Sequence, residues 1–230
     1  MGGVLNARLR SAADFVRQGA VFADIGTDHA HLPIFLLECG RIERAVCSDI
    51  NEGPLSSAKR NATESGLLDK TEFLLCDGAS ALCGKGITDY AICGMGGELI
   101  RDIITAAPEL HREGVNLILQ PMTRVSALRS YLYGAGFEIV AEAYSEDAGK
   151  YYVCLNAIYT GIAKSITDTE AELGCKNIKI VNKEVQKLYL LTKKRSFQRA
   201  LNGKKQGGEN ADLELLMLEE IERMLAKLQE

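Results

Sequence analysis

From residue 20 onward the chain alternates between short apolar runs of strand length and stretches whose apolar positions repeat every three or four residues. The runs "AVFADI" (20–25), "RAVCSDI" (44–50), "TEFLLCD" (71–77), "DYAICG" (89–94) and "VNLILQ" (115–120) predict five strands. The stretches "HLPIFLLEC", "EGPLSSAKRNATESG", "ELIRDIITAA" and "RVSALRSYLYGAG" predict helices. In the second of these, Pro54 falls in the first turn and Gly66 at the end, where each is tolerated best. Ahead of the first strand, Val4, Leu5, Leu9, Ala12, Ala13 and Val16 share a helical spacing and predict a lead-in helix over 4–18. After the fifth, "FEIVAEAYSE" and "KYYVCLNAIY" flank "DAGK" and read as an antiparallel pair.

Strands alternating with helices imply a parallel sheet covered on both faces. From about residue 165 the pattern changes to two helical runs, "TDTEAELGCKNIKIVNKEVQKLYLLTKKRSFQRAL" and "ADLELLMLEEIERMLAKLQ", joined by "NGKKQGGEN". Ile178, Val181, Val185 and Leu188 step 3-4-3, as do Leu218, Ile221, Leu225 and Leu228. That spacing predicts a helical hairpin packed as a short antiparallel coiled coil. The expected division is an α/β domain over 1–162 and a helical domain over 163–230.

Composition narrows the classes. With 230 residues, 47% hydrophobic and 25% charged, the chain suits a protein with a substantial core. No apolar run reaches the ~18 residues of a membrane span, and "MGGVLNARLRSAADFV" lacks a secretory apolar core with a cleavage site. A cytoplasmic location is expected. The seven cysteines show no CxxC spacing and read as reduced core residues, so no metal is expected.

A net charge of −4 confines any nucleic-acid role to a local patch. One exists: Lys176 to Lys205 holds ten Lys/Arg and one acid, whereas Glu209 to Glu230 holds seven acids and two bases. Complementary charge between the two helices is one reading. Phosphate contact by Lys193, Lys194, Arg195, Arg199, Lys204 and Lys205, which crowd toward the hairpin tip, is the other.

Candidate chemistry begins at the turn after the first strand, Gly26-Thr27-Asp28-His29-Ala30. There is no GxxxxGK[ST], which excludes a Walker loop, and the single glycine does not make the GxGxxG of a dinucleotide site. A carboxylate there would repel a pyrophosphate, but it would attract a ligand with positive centres. S-adenosylmethionine, with a sulfonium, an ammonium and no phosphate, fits Asp24 and Asp28. Two plainer readings stand beside this one. Asp28 could cap the next helix, though Pro33 argues for a start near residue 30, and Asp24 could bind backbone N–H groups of the turn. His29, in the same turn, is a further candidate for contact with the cofactor or substrate.

Further acids end the next two strands. Asp49, with Asn51 beside it, suits ribose hydroxyls, a device shared with NAD enzymes. Asp77 suits an adenine amine, with Gly78 letting the chain pass close to the ring. At the fourth strand, Gly94, Gly96 and Gly97 remove side chains where two flat rings would need room, or else form a tight strand-to-helix turn; Met95 between them is a further cofactor-binding candidate. The Asp/Asn-Pro-Pro-aromatic run of exocyclic-amine methylases is absent.

The pieces "LNARL" with Arg8, "ADIGTDHAHLP", "SDINEGP", "CDG", "DYAICGMGGELI", "LILQPM" and "GKYYVCL" follow one another from about residue 5 to 155. In that order they resemble the bacterial tRNA adenine-22 N1-methyltransferases, the TrmK family; His31 stands where that family often has Tyr. The resemblance implies a Rossmann-like class I methyltransferase sheet, parallel with a terminal antiparallel hairpin, and a C-terminal coiled-coil hairpin that helps hold tRNA. It implies S-adenosyl-L-methionine as cofactor and tRNA as partner, with Asp28 near the reacting base and Arg8 on the RNA backbone or the base. A monomer is expected. A methyltransferase for another RNA or a small molecule, and a non-catalytic RNA-binding or donor-sensing protein, remain the alternatives.

Overall fold

The strands expected between residues 20 and 159 all form, within a few residues of their expected ends. The computed structural model describes residues 5–175 and 178–228; Val4 and Lys176 lie outside them. In chain order the α/β part consists of α1 (Ala7–Ala13), β1 (Ala20–Ile25), α2 (His31–Glu38), β2 (Ile42–Asp49), α3 (Glu52–Glu64) and β3 (Thr71–Leu75). It continues with β4 (Asp89–Gly96), α4 (Gly97–Ala106), β5 (Asn116–Thr123), α5 (Val125–Gly134), β6 (Phe137–Asp147) and β7 (Lys150–Tyr159). The sheet order is β3-β2-β1-β4-β5-β7-β6-β8, β8 being Lys179–Val181. Strands β1 to β5 are parallel, and β7 is antiparallel to both β5 and β6. From β1 the chain winds outward through β2 to β3, then returns to β4 on the other side. The sheet therefore has its switch point between β1 and β4, where open α/β sheets bind ligands.

Alternate strand residues face opposite sides, and the core divides accordingly. Ile25, Ile92, Leu117 and Leu119 pack with Ile100 and Ile104 of α4 and Leu128 and Leu132 of α5. Phe22, Ala45, Ala91 and Ile118 pack with Ala12 of α1, Leu32 and Leu36 of α2 and Ala58 of α3. Of the seven cysteines only Cys47 and Cys154 are buried, and Cys39 and Cys83 are exposed.

Two expectations need correction. The lead-in helix stops at Ala13, short of residue 18, because the buried carboxylate of Asp89 draws the chain aside. It accepts from the Arg17 backbone N at 3.1 Å and from Arg17 Nη2 at 2.8 Å. The run beyond 165 is also not one helix. It comprises α6 (Asp168–Leu173), β8, α7 (Lys183–Gly207) and α8 (Asp212–Lys227). Ile178 and Val181 thus lie off any helix, and Leu188 is 41% exposed. The alternating apolar positions of "IKIV" suit a strand, and β8 pairs in parallel with the edge of β6 that would otherwise be open. Asn182 then restarts the chain as a helix, its side chain accepting from Val185 N at 3.4 Å.

The tail is bolted to the sheet. Arg129 of α5 is fully buried; its Nε and Nη2 donate to the two carboxylate oxygens of Glu142 at 2.7 and 3.0 Å, and its Nη1 donates to the Ala171 carbonyl at 2.8 Å. The Tyr144 hydroxyl donates to Glu142 at 2.6 Å, and its ring lies 5.2 Å from that of Tyr189 on α7. Lys193, above Tyr189, pairs with Glu172. Between α7 and α8, Lys204 meets Glu214 at 2.8 Å and Lys194 meets Glu222 at 3.1 Å, so the helices run antiparallel. Among the described residues no helix is long and apolar enough to cross a membrane.

Candidate active site

A cleft of about 670 Å³ opens at the switch point, beyond the carboxyl ends of β1, β2 and β4, with α1 on its rim. Arg8, Asp24, Gly26, Thr27, Asp28, His29, Asp49, Asn51, Asp77, Gly78, Gly94 and Met95 all line it. Of the cleft residues expected from sequence, only Gly96 does not.

The turn after β1 is held from below. Gly26 N and Thr27 N both donate to the Ser48 carbonyl, at 2.8 and 3.0 Å. Gly26, Asp28 and Ala30 all have positive φ, at 73°, 50° and 57°. For the two non-glycine residues this is strained backbone, of the kind that persists at ligand-contacting turns. A Cβ on Gly26 would come within 2.0 Å of the Met95 side chain, so glycine lets the β4 wall close against the turn. Helix α2 begins at His31 with no side-chain cap. Asp28 is therefore not a cap, and Pro33 sits in the first turn, where its missing N–H removes no helical bond.

Asp24 is only 5% exposed, and its Oδ2 accepts from the Thr27 hydroxyl at 2.8 Å. Burial pushes its carboxyl up from 3.8 to about 7; the Thr27 bond opposes the rise and nearby Asp49 adds to it. No cation pairs with it among the described residues. Burial, with Asp24 adding to it, also holds the thiols of Cys47 and Cys93 above their ordinary range. The side chain of Asp28, by contrast, is 68% exposed, with His29 Nε2 at 3.5 Å.

At the ends of β2 and β3, Asp49 accepts from Asn51 N at 2.9 Å, and Cys76 N donates to the Asp49 carbonyl at 3.0 Å. Gly78, at φ 55°, leads the chain past Ile103. Farther along the wall, a Cβ on Gly97 would meet the Arg124 carbonyl oxygen at 2.5 Å. That glycine allows two chain segments to approach; it does not open space for a ring.

Across the cleft from these acids, Arg8 Nη1 donates to Gln120 Oε1 at 2.6 Å, and Gly94 N donates to the same oxygen at 3.3 Å. Gln120 falls within the resembling piece "LILQPM", but one amide at the end of an apolar run does not by itself mark a site residue. The hairpin cations divide into two sets. Lys193, Lys194 and Lys204 are engaged with Glu172, Glu222 and Glu214, while Arg195, Arg199 and Lys205 are exposed.

A parallel sheet with one reversed strand near its edge, a single-glycine turn after β1 and strand-end acids around the switch point define a class I methyltransferase. Comparisons with known proteins agree. The family model described as "Methyltransferase domain" matches residues 5–155. The tRNA (adenine(22)-N(1))-methyltransferase of Bacillus subtilis is 36% identical over 169 residues, which is 70% of this chain and 71% of that one. A Streptococcus pneumoniae protein described as a candidate tRNA (m1A22) methyltransferase, crystallised with S-adenosyl-L-methionine, superimposes with a TM-score of 0.80. It is 30% identical, with 96% of this chain and 100% of that one covered. The TrmK of M. capricolum, in complex with S-adenosyl-homocysteine, gives 0.76 at 25% identity, with 99% of each chain covered. The chain belongs to the tRNA (adenine(22)-N(1))-methyltransferase, or TrmK, family.

Proposed function

We propose that this protein methylates N1 of adenine 22 in tRNA, using S-adenosyl-L-methionine. The observation that carries the reading is the buried Asp24 carboxylate, left without a cation in a cleft ringed by further acids. Such a site fits a cationic guest and disfavours a phosphate.

S-adenosyl-L-methionine, when bound, supplies a methyl group on an electron-poor sulfonium. Asp24 with Gly26, Thr27 and His29 would hold its charged end. Asp49 and Asn51 would accept from and position the ribose hydroxyls, and Asp77 with Gly78 would receive the adenine. Gly94 and Met95 would form the wall toward the acceptor, while Gly96, at the end of β4, lies outside the lining. Adenine N1 carries a lone pair and no proton, so the chain need not provide a strong base. Its task is to position the base and stabilise the cation that forms on it. Asp28, exposed in the cleft, takes that electrostatic role, and Arg8 orients the base or its phosphate. N1 lies on the pairing edge, so the base must be unpaired or turned out to react. The helical part from residue 163 onward would hold the rest of the tRNA through Arg195, Arg199 and Lys205, with Lys193, Lys194 and Lys204 nearer their acidic partners. A tRNA substrate suits a cytoplasmic enzyme.

Incubation with labelled donor and unmodified tRNA, followed by nucleoside analysis, should yield 1-methyladenosine. Donor and tRNA binding without methyl transfer would instead indicate a non-catalytic RNA-binding protein. Asp28→Ala should lower turnover roughly tenfold to a hundredfold while the protein stays folded. That is less than removal of a fully enclosed stabilising group, because Asp28 is largely exposed. Unchanged turnover would remove Asp28 from the mechanism.

A further inference from the structure

Gln120 is fully buried near the end of β5, yet both ends of its amide are used. Its Nε2 donates to the Pro121 carbonyl at 3.1 Å. Its Oε1 accepts from Arg8 Nη1 at 2.6 Å and from Gly94 N at 3.3 Å. The orientation of the amide is thereby determined. Turned over, it would set an NH2 group against two donors and an oxygen against a carbonyl.

Both groups that the oxygen receives line the cleft, and they come from different elements, α1 and β4. Arg8 stands on α1, whose start is fixed by Asn6 accepting from Leu9 N at 2.9 Å. Gly94 stands on β4 with φ 79°, and a Cβ there would lie 3.5 Å from Arg8 Nη1, so the guanidinium rests over its backbone. Asp147, from the β6–β7 hairpin, lies 4.0 Å from Arg8 Nε. The guanidinium carries five N–H donors. Those on Nη2 have no protein partner among the described residues, and the side chain remains 18% exposed. Sheet packing alone would be served by an apolar residue of the same size, with no amide to desolvate.

We propose that Gln120 is a positioning residue for methyl transfer: it ties Arg8 to the Gly94 backbone and so keeps the free guanidinium N–H groups turned toward the incoming adenosine. The proposal rests on the reading that Arg8 serves the acceptor side of the cleft. Gln120 itself touches neither donor nor tRNA; its effect passes through Arg8.

The test is a double-mutant cycle on the full-length protein: wild type, Gln120→Met, Arg8→Ala and the double variant, with Gln120→Glu as a fifth protein. For each, kcat and KM for tRNA are measured at saturating donor, together with donor affinity by calorimetry and Tm. Gln120→Met should lower kcat roughly tenfold to a hundredfold, the scale expected of a small misplacement, with donor affinity within about twofold of wild type. The double variant should be no slower than Arg8→Ala within about twofold. Gln120→Glu, which keeps the acceptor oxygen, should recover most of the turnover that Gln120→Met loses. If Arg8→Ala slows the reaction but Gln120→Met does not, or if the two losses multiply, the positioning role is wrong and the Arg8 reading survives. If Arg8→Ala leaves kcat/KM unchanged, the reading beneath it fails as well. Should Gln120→Met not fold, Gln120→Asn, which withdraws the amide oxygen by one methylene, takes its place in the cycle: it should lower kcat in the wild-type background but not in Arg8→Ala, and an equal loss in both overturns the positioning role.

Discussion

Two carboxylates in this molecule are hidden from water to nearly the same degree, in opposite surroundings. Glu142, in the joint between sheet and tail, receives two bonds from Arg129 and one from Tyr144. Asp24, at the head of the cleft, receives one bond from a hydroxyl, and its charged neighbour is another acid, Asp49. Burial is the largest single influence on Arg129 and works against its charge, but Glu142, Tyr144 and Tyr189 together outweigh it and hold the guanidinium protonated. Nothing comparable relieves Asp24, and burial lifts it to about 7. The first carboxylate is satisfied within the chain, whereas the second has no cation among the described residues and is the one we assign to a positive ligand. Saturation marks the structural pair and deficit marks the binding site.

Breaking the saturated pair has the largest expected effect. Arg129→Met leaves Glu142 buried without its cation and should destabilise the fold by about 3–5 kcal/mol. A drop in Tm of roughly 10 °C is the readout. A loss under about 2 °C would mean that the joint contributes little.

Asp24→Asn should do the reverse. Donor affinity falls roughly 10- to 100-fold by calorimetry, about 1.4–2.7 kcal/mol, as one favourable charge is lost. Stability at pH 8 holds or rises. The sign follows from the raised value: the proton that folded Asp24 retains favours the native state below pH 3.8, and this contribution is lost as pH climbs to about 7. Above that, wild type carries a buried anion and the asparagine variant does not. A variant that kept its donor affinity would dissolve the contrast with Glu142.

The same shift predicts a smaller, graded effect. Wild-type donor uptake should release a proton below pH 7 and weaken as pH falls from about 7, by up to about tenfold per unit. Asp24→Asn should show no such dependence, which calorimetry in buffers of different ionisation enthalpy can resolve.

The smallest effect concerns the tail, where the contrast between paired and unpaired charge recurs. Arg195→Ala or Arg199→Ala should each reduce the slope of log affinity for tRNA against log salt by about 0.7–0.9. Lys204→Ala, already engaged by Glu214, should change it less. Equal slopes would erase the distinction between exposed and engaged cations.

Much of this was legible along the chain. The strands from β1 to β7 showed as apolar runs, and the acids of the cleft as the residues that end three of them, because period and punctuation are local properties. Pro33 even located the start of α2. Strand β8 was not legible: "IKIV" fits a helix as well as a strand until an open edge of β6 lies beside it. Lys193 and Arg195 look alike at two residues' separation, yet one is engaged by Glu172 and the other is exposed.

The sequence by itself determined the alternation of elements, the acidic character of the turn and strand ends, and the family. Only the tertiary structure decided which charges are cancelled. Arg8 and Gln120 are 112 positions apart, and Arg129 reaches a carbonyl 42 residues away. Contacts of that span depend on the completed sheet, because a local pattern names a residue's type but not what the fold brings against it.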